Sequence, residues 1–182
     1  MKIKKTLLYS LLFLIASLQC LFLGSIIYEQ HNEFYVIPFI FLFIFLIASF
    51  FHSYIKEYHI EYDSWKSAIW IFSGTIGTWF LRTEFNLDAV FATALIGTIA
   101  SSLQMLFKNN KYLAQIAAPI YCGAFIAMSN LEKDLTFIII AASFSFILLI
   151  MSKTILNGIG GKLGTIAFNG VVLAYLFYLL IH

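Results

Sequence analysis

The residues of this chain best suited to chemistry are glycines grouped around a lysine. Asn157-Gly158-Ile159-Gly160-Gly161-Lys162-Leu163-Gly164-Thr165 sets four glycines within seven residues. Each glycine weakens a helix by about 1 kcal/mol relative to alanine, so the backbone is expected to break or turn back here and resume as a helix after Gly161. The start of such a helix presents unpaired amides and a partial positive charge, and with Lys162 beside it this suits an anion. The string is not a phosphate-binding P-loop: Leu156 stands five positions before Gly161, where glycine is required. Leu163 follows Lys162, where Ser or Thr would be needed. The other reading of Lys162 is a cation that only sets membrane orientation.

A second weak point is Ala118-Pro119-Ile120-Tyr121-Cys122-Gly123. Pro119 donates no backbone hydrogen bond and crowds the carbonyl of Gln115, and Gly123 follows within about one turn, so a break is expected here too. Paired interruptions in apolar segments point to the solute path of a membrane transporter. The candidate solute-binding residues are therefore Pro119, Gly123, Gly160, Gly161, Lys162, Gly164 and Thr165. Asn157, Asn169, Gln104 and Gln115 have the alternative of tying helices together by hydrogen bonds.

The rest of the chemistry is sparse. No Asp or Glu falls in the middle of an apolar run, which disfavours a carboxylate proton relay. Asp88 reads as a helix N-cap. His52 and His59 lack the spacing of a metal site, and no Ser/His/Asp, Cys/His or HExxH grouping can be assembled. No catalytic residue, metal, cofactor or nucleic-acid partner is expected, and the chain is not expected to be an enzyme. Cys20 and Cys122 sit singly in apolar runs and read as small packing residues.

The elements that must position these residues follow from composition. The chain has 182 residues, 62% hydrophobic and only 11% charged, with a mean hydropathy of +0.92. A soluble domain of this size cannot hide so much apolar surface, so an all-α integral membrane protein in contact with the bilayer is expected. A bilayer core of about 30 Å takes about 20 helical residues. Seven spans are read, at about Thr6–Tyr28, Phe34–Ile55, Trp65–Leu81, Asp88–Phe107, Tyr112–Asn130, Leu135–Ser152 and Leu163–Ile181, all in one polytopic domain. Runs this long and this continuously apolar do not suit barrel strands.

With the N-terminus in the cytoplasm, Lys2, Lys4, Lys5, Lys56, Lys66, Lys108, Lys111, Lys153 and Lys162 lie inside, against Arg82 and Lys133 outside. That nine-to-two partition follows the positive-inside rule and places the C-terminus outside. The location expected is the cytoplasmic (inner) membrane, crossed many times. The first span follows a basic start as a secretory signal does. Its apolar run is long and lacks a small-residue cleavage site, so a retained anchor is expected. Tyr28, Trp65, Tyr112 and Tyr178 stand near span ends as interfacial anchors.

Three strings share a Gly-Thr-Ile core: 74–76, 97–99 and 164–166. Gly74 with Thr78, Gly97 with Ser101 and Gly160 with Gly164 form small-xxx-small pairs that let membrane helices approach closely. Over Ala68–Gly123 the chain resembles the small membrane subunit of the two-component threonine/serine exporter family. The residues concerned are Ser73-Gly74-Thr75-Ile76-Gly77, Phe91-Ala92-Thr93-Ala94-Leu95-Ile96-Gly97-Thr98-Ile99 and Pro119-Ile120-Tyr121-Cys122-Gly123. The family carries Pro-x-x-Pro-Gly at the last string, and Cys122 stands here in place of the second proline. The resemblance implies export of a small amino acid or carboxylate with a larger partner subunit.

The sequence thus leads to a small secondary transporter or transporter subunit for a small polar or anionic solute, working as a homodimer or with a second membrane subunit. The alternative is a non-transporting scaffold or accessory subunit whose glycines serve helix packing alone.

Overall fold

The structure is a computed structural model that describes residues 2–29, 62–129, 134–156 and 161–181, with a few helical residues between 37 and 48. Most of the span read over Phe34–Ile55, together with Asn157 and Gly160, lies outside the described residues. The described chain is helical, with no strand among those residues. Its helices are α1 (Lys2–Glu29), α2 (Trp65–Ala68), α3 (Trp70–Glu84), α4 (Ala89–Leu106), α5 (Lys111–Met128), α6 (Leu135–Ile155) and α7 (Lys162–Ile181). Three of them are long and apolar enough to cross a membrane, over Ala89–Leu106, Leu135–Lys153 and Lys162–Ile181, and two shorter apolar stretches are Ser10–Ile26 and Tyr112–Met128.

The chain divides into two compact units. One comprises Met1–Ile60 with Thr154–Gly160, the other Glu61–Lys153 with Gly161–His182. In the first, α1 is a single 28-residue helix. Its Ser17 and Ser25 hydroxyls donate back to Leu14 O (2.9 Å) and Phe22 O (2.8 Å), so these polar groups are satisfied within the helix.

The second unit is organised around α5. Three of its helices begin at polar residues that satisfy otherwise orphaned amides. Asp88 Oδ2 accepts from Val90 N at 3.0 Å and caps α4, as its position in the sequence leads one to expect. Asn110 Oδ1 accepts from Tyr112 N and Leu113 N and caps α5. Asp134 Oδ1 accepts from Thr136 N at 2.9 Å at the start of α6. Between α3 and α4 the chain turns through Asn86 at φ +50, a left-handed conformation that Asn tolerates better than most residues.

On α3, Ile71, Gly74, Thr75 and Thr78 are buried at the i, i+3, i+4, i+7 spacing of one helix face. That face lies on α5. Tyr112 accepts from Trp70 Nε1 (3.0 Å) and donates to Lys66 O (3.1 Å) at one end. Arg82 Nη1 donates to Ala127 O and Met128 O at the other. The contacts ascend both helices together, so α3 and α5 run parallel. The helix between them, α4, returns antiparallel: Gly97 meets the Tyr121 ring and Thr93 meets Ala124. Ala100, Ile116, Ala117 and Ile120 form the buried cluster at this junction, with Trp70, Ile96 and Leu113 packed on it.

Helices α6 and α7 pair through Phe144–Phe177 and Phe137–Tyr178 ring contacts at 6.1 and 5.8 Å. At Gly170 a Cβ would run into the Ser145 side chain and Ala141 O, so only glycine permits this approach. Phe72 and Phe146 connect α3 to α6 at 6.1 Å between ring centroids.

Candidate functional site

The structure brings the two sequence-predicted segments into contact through a residue between Pro119 and Gly123. The Cys122 thiol donates to Leu163 O at 3.5 Å, joining the middle of α5 to the first turn of α7. Pro119 is buried. The helix is continuous from Lys111 to Met128 through that proline, where a break was expected. A proline keeps helical φ, and the loss is confined to the hydrogen bond that Gln115 O would otherwise accept.

Gly123 faces α3 instead of α7. A Cβ there would overlap Ile71 O and crowd Thr75 N, and a Cβ on Gly74 would likewise overlap Ile120 O. The backbones of α3 and α5 therefore touch reciprocally, which is the closest approach that small residues allow. The Thr75 hydroxyl lies 2.8 Å from Ile71 O within its own helix and 3.2 Å from Gly123 O across the seam.

At the start of α7, Gly161 holds φ +78, a left-handed value that glycine adopts without steric cost. Thr165 N donates to Gly161 O at 2.9 Å, which closes the first helical turn. Around both Gly161 and Gly164 a Cβ would meet nothing within 4 Å. Thr165 O accepts from Asn169 Nδ2 at 2.7 Å. Gly160 lies outside the described residues.

Lys162 is the ammonium of this site, and it is engaged. Its Nζ lies 3.3 Å from Asp63 Oδ2, with side chains 28% and 33% exposed. Asp63 is itself held, because its backbone N donates to Ile150 O of α6 at 3.0 Å. A lysine at a helix N-terminus opposes the helix dipole, and the carboxylate offsets that. The first turn of α7 thus offers an ammonium and open space around Gly161 and Gly164, with an internal carboxylate already on the ammonium. This arrangement can bind a carboxylate or other small anion that displaces Asp63.

Sequence reasoning did not single out Asp63 and missed its pairing. It lies 99 positions from Lys162, and no local pattern links the two. Cys122 was read as packing alone, and the thiol does pack, but it also supplies the direct link between the two candidate segments.

Compared with protein-family models, with characterised proteins and with solved structures, the chain matches none.

Proposed function

We propose that this chain is a small multi-pass transporter, or the membrane subunit of one, moving a small polar or anionic solute across the cytoplasmic membrane. The observation that carries the reading is the Cys122–Leu163 contact, which sets the glycine-rich start of α7, with Lys162, against the proline-containing middle of α5. Gly161, Lys162, Gly164 and Thr165 at the start of α7, with Pro119 on α5, are the residues assigned to the solute path; Gly123, read from the sequence as part of it, packs on α3 instead, and Gly160 lies outside the described residues. Lys162 attracts the negative group, and the glycines leave backbone amides accessible to it.

Seven spans, with the N-terminus inside and the C-terminus outside, belong to the same reading. Its support is the charge partition and the large apolar side chains that α4 and α7 turn outward, among them Phe91, Met105, Leu106, Leu179 and Leu180. Compartment-specific reporters fused at Met1 and His182 test it, and both termini on one side would refute it. The likeness of Ala68–Gly123 to the threonine/serine exporter subunit narrows the solute to a small amino acid or carboxylate. It also adds a second subunit or a second copy as partner.

Uptake of amino acids and dicarboxylates by liposomes holding the purified protein tests transport directly. Flux that falls in Lys162→Ala supports the site. Flux with no solute, or flux unchanged in that variant, overturns the assignment. The reciprocal Gly74–Ile120 and Gly123–Ile71 contacts favour a second reading, a helix-packing scaffold or accessory subunit. That reading predicts a protein partner retained in mild detergent and no flux.

A further inference from the structure

Where α2 meets the start of α5, basic and aromatic residues are held together by printed contacts. Tyr112, in the first turn of α5, accepts from Trp70 Nε1 at 3.0 Å and donates to Lys66 O at 3.1 Å. Those two bonds fix Lys66 of α2 beside the start of α5. Trp70 packs on the buried cluster of Ala100, Ile116, Ala117 and Ile120, to which α4 and α5 both contribute. The turn from α4 to α5 therefore lies at the same end, closed by Asn110 N donating to Phe107 O at 2.8 Å, and it carries Lys108. Lys111, the residue before Tyr112, adds a third positive charge.

These charges have no acidic partner in the fold. Lys66 and Lys108 are exposed, and among the described residues neither forms an ion pair. Lys66 Nζ stands 6.0 Å from the centroid of the Trp65 ring, at the outer limit of a cation–π contact. Asp63, three residues before Lys66, is engaged by Lys162. Glu84 and Asp88 stand at the opposite ends of α3 and α4, about 20 Å or more away along the helices.

The surface beside the lysines selects the partner. Trp65 is 60% exposed, Leu106 77% and Met105 82%. A soluble anion would neutralise the ammonium groups and leave that apolar surface uncovered. A phospholipid covers both, with its phosphate on the lysines and its chains on the apolar residues. Trp and Tyr suit the level between, where one part of the ring is apolar and the other wet, and basic groups at helix ends are receptors for anionic headgroups. We propose that this end of the second unit binds an anionic phospholipid, its phosphate on Lys66 and Lys108 and its acyl chains along the exposed end of α4. The proposal rests on the chain lying in a bilayer and not on transport, so a protein without flux can still show it, and a transporter can lack it.

Thermal unfolding of the purified full chain in detergent tests it, with phosphatidylglycerol, phosphatidylcholine or soluble glycerol phosphate added at equal concentration. Phosphatidylglycerol should raise the midpoint in a saturable manner by about 4–8 °C over phosphatidylcholine, and glycerol phosphate should not. The triple variant Lys66→Gln, Lys108→Gln, Lys111→Gln should lose that rise while unfolding in phosphatidylcholine near the native midpoint, because such surface changes cost little. Lys66→Arg, Lys108→Arg, Lys111→Arg, which keeps the charges, should retain the rise. Equal midpoints in the two lipids for the native chain would overturn the proposal, as would loss of the rise in the arginine variant. A rise that persists in the glutamine variant would overturn the placement at this end, and one that glycerol phosphate reproduces in full would overturn the lipid as occupant.

Discussion

One chemical change, glycine to alanine, should act with opposite sign at two positions in the same protein. In a helix interior the change itself is worth about 0.5–1 kcal/mol of stabilisation, since alanine loses less chain entropy on folding. At Gly164, in the first turn of α7, the new methyl meets nothing within 4 Å, so no steric cost opposes that gain, which is partly expressed at a helix end. At Gly123 the methyl would overlap Ile71 O and crowd Thr75 N, and neither is the free end of a flexible side chain. The α3/α5 seam must open, at about 1–3 kcal/mol for overpacking, and the Thr75–Gly123 contact, worth about 0.6 kcal/mol if typical of bonds between membrane helices, is lost as well. Subtracting the helix gain leaves Gly123→Ala about 0.6–3 kcal/mol less stable than the native chain. Thermal unfolding in detergent, with all variants purified alike, reads both signs at about 2–4 °C per kcal/mol for a chain of this length. A Gly123→Ala protein as stable as Gly164→Ala would refute the close approach of α3 to α5.

Other substitutions test the remaining contacts. Arg82→Met removes the guanidinium from the last carbonyls of α5 and should lower stability by about 1–2 kcal/mol through the lost charge-assisted bonds and helix-dipole interaction, measured by unfolding midpoint. Asp88→Ala deletes the cap on Val90 N and should cost about 1 kcal/mol, whereas Asp88→Asn should cost little. Asp63→Asn should change stability by no more than about 1 kcal/mol, because its pair with Lys162 is about one-third exposed and screened. The same variant should lower KM for an anionic solute in proteoliposomes by freeing the ammonium, and a raised KM would count against the displacement of Asp63.

What the sequence disclosed, and what it hid, follows the range of the interactions. Helical structure was legible because apolar runs of this length with so few charges leave the backbone no other way to satisfy its polar groups. Asp88 was legible as a cap because capping is local. Pro119 was misleading: proline signals a break by its chemistry, but packing of α5 on its four neighbouring helices holds the turn together. The small-xxx-small pair of Gly74 with Thr78 suggested close packing, and the structure supplies the partner, Ile120. Nothing in the string shows that Gly123 serves α3 while Cys122, its neighbour, serves α7. That division comes from the 100° rotation between successive helical residues and from which helices surround α5. The Lys162–Asp63 pair was invisible for a simpler reason: attraction between charges leaves no periodic trace in the chain.

The interlocked backbones of α3 and α5 restrict how this protein can move. Sliding one helix along the other would lift the Ile71 and Ile120 carbonyls over a glycine and onto bulkier neighbours, so these two helices travel as one piece. What holds the first turn of α7 is softer: a thiol at 3.5 Å and a half-screened ion pair. A displacement of the first turn of α7 therefore bends at the α5–α7 boundary and leaves the α3/α5 seam undeformed.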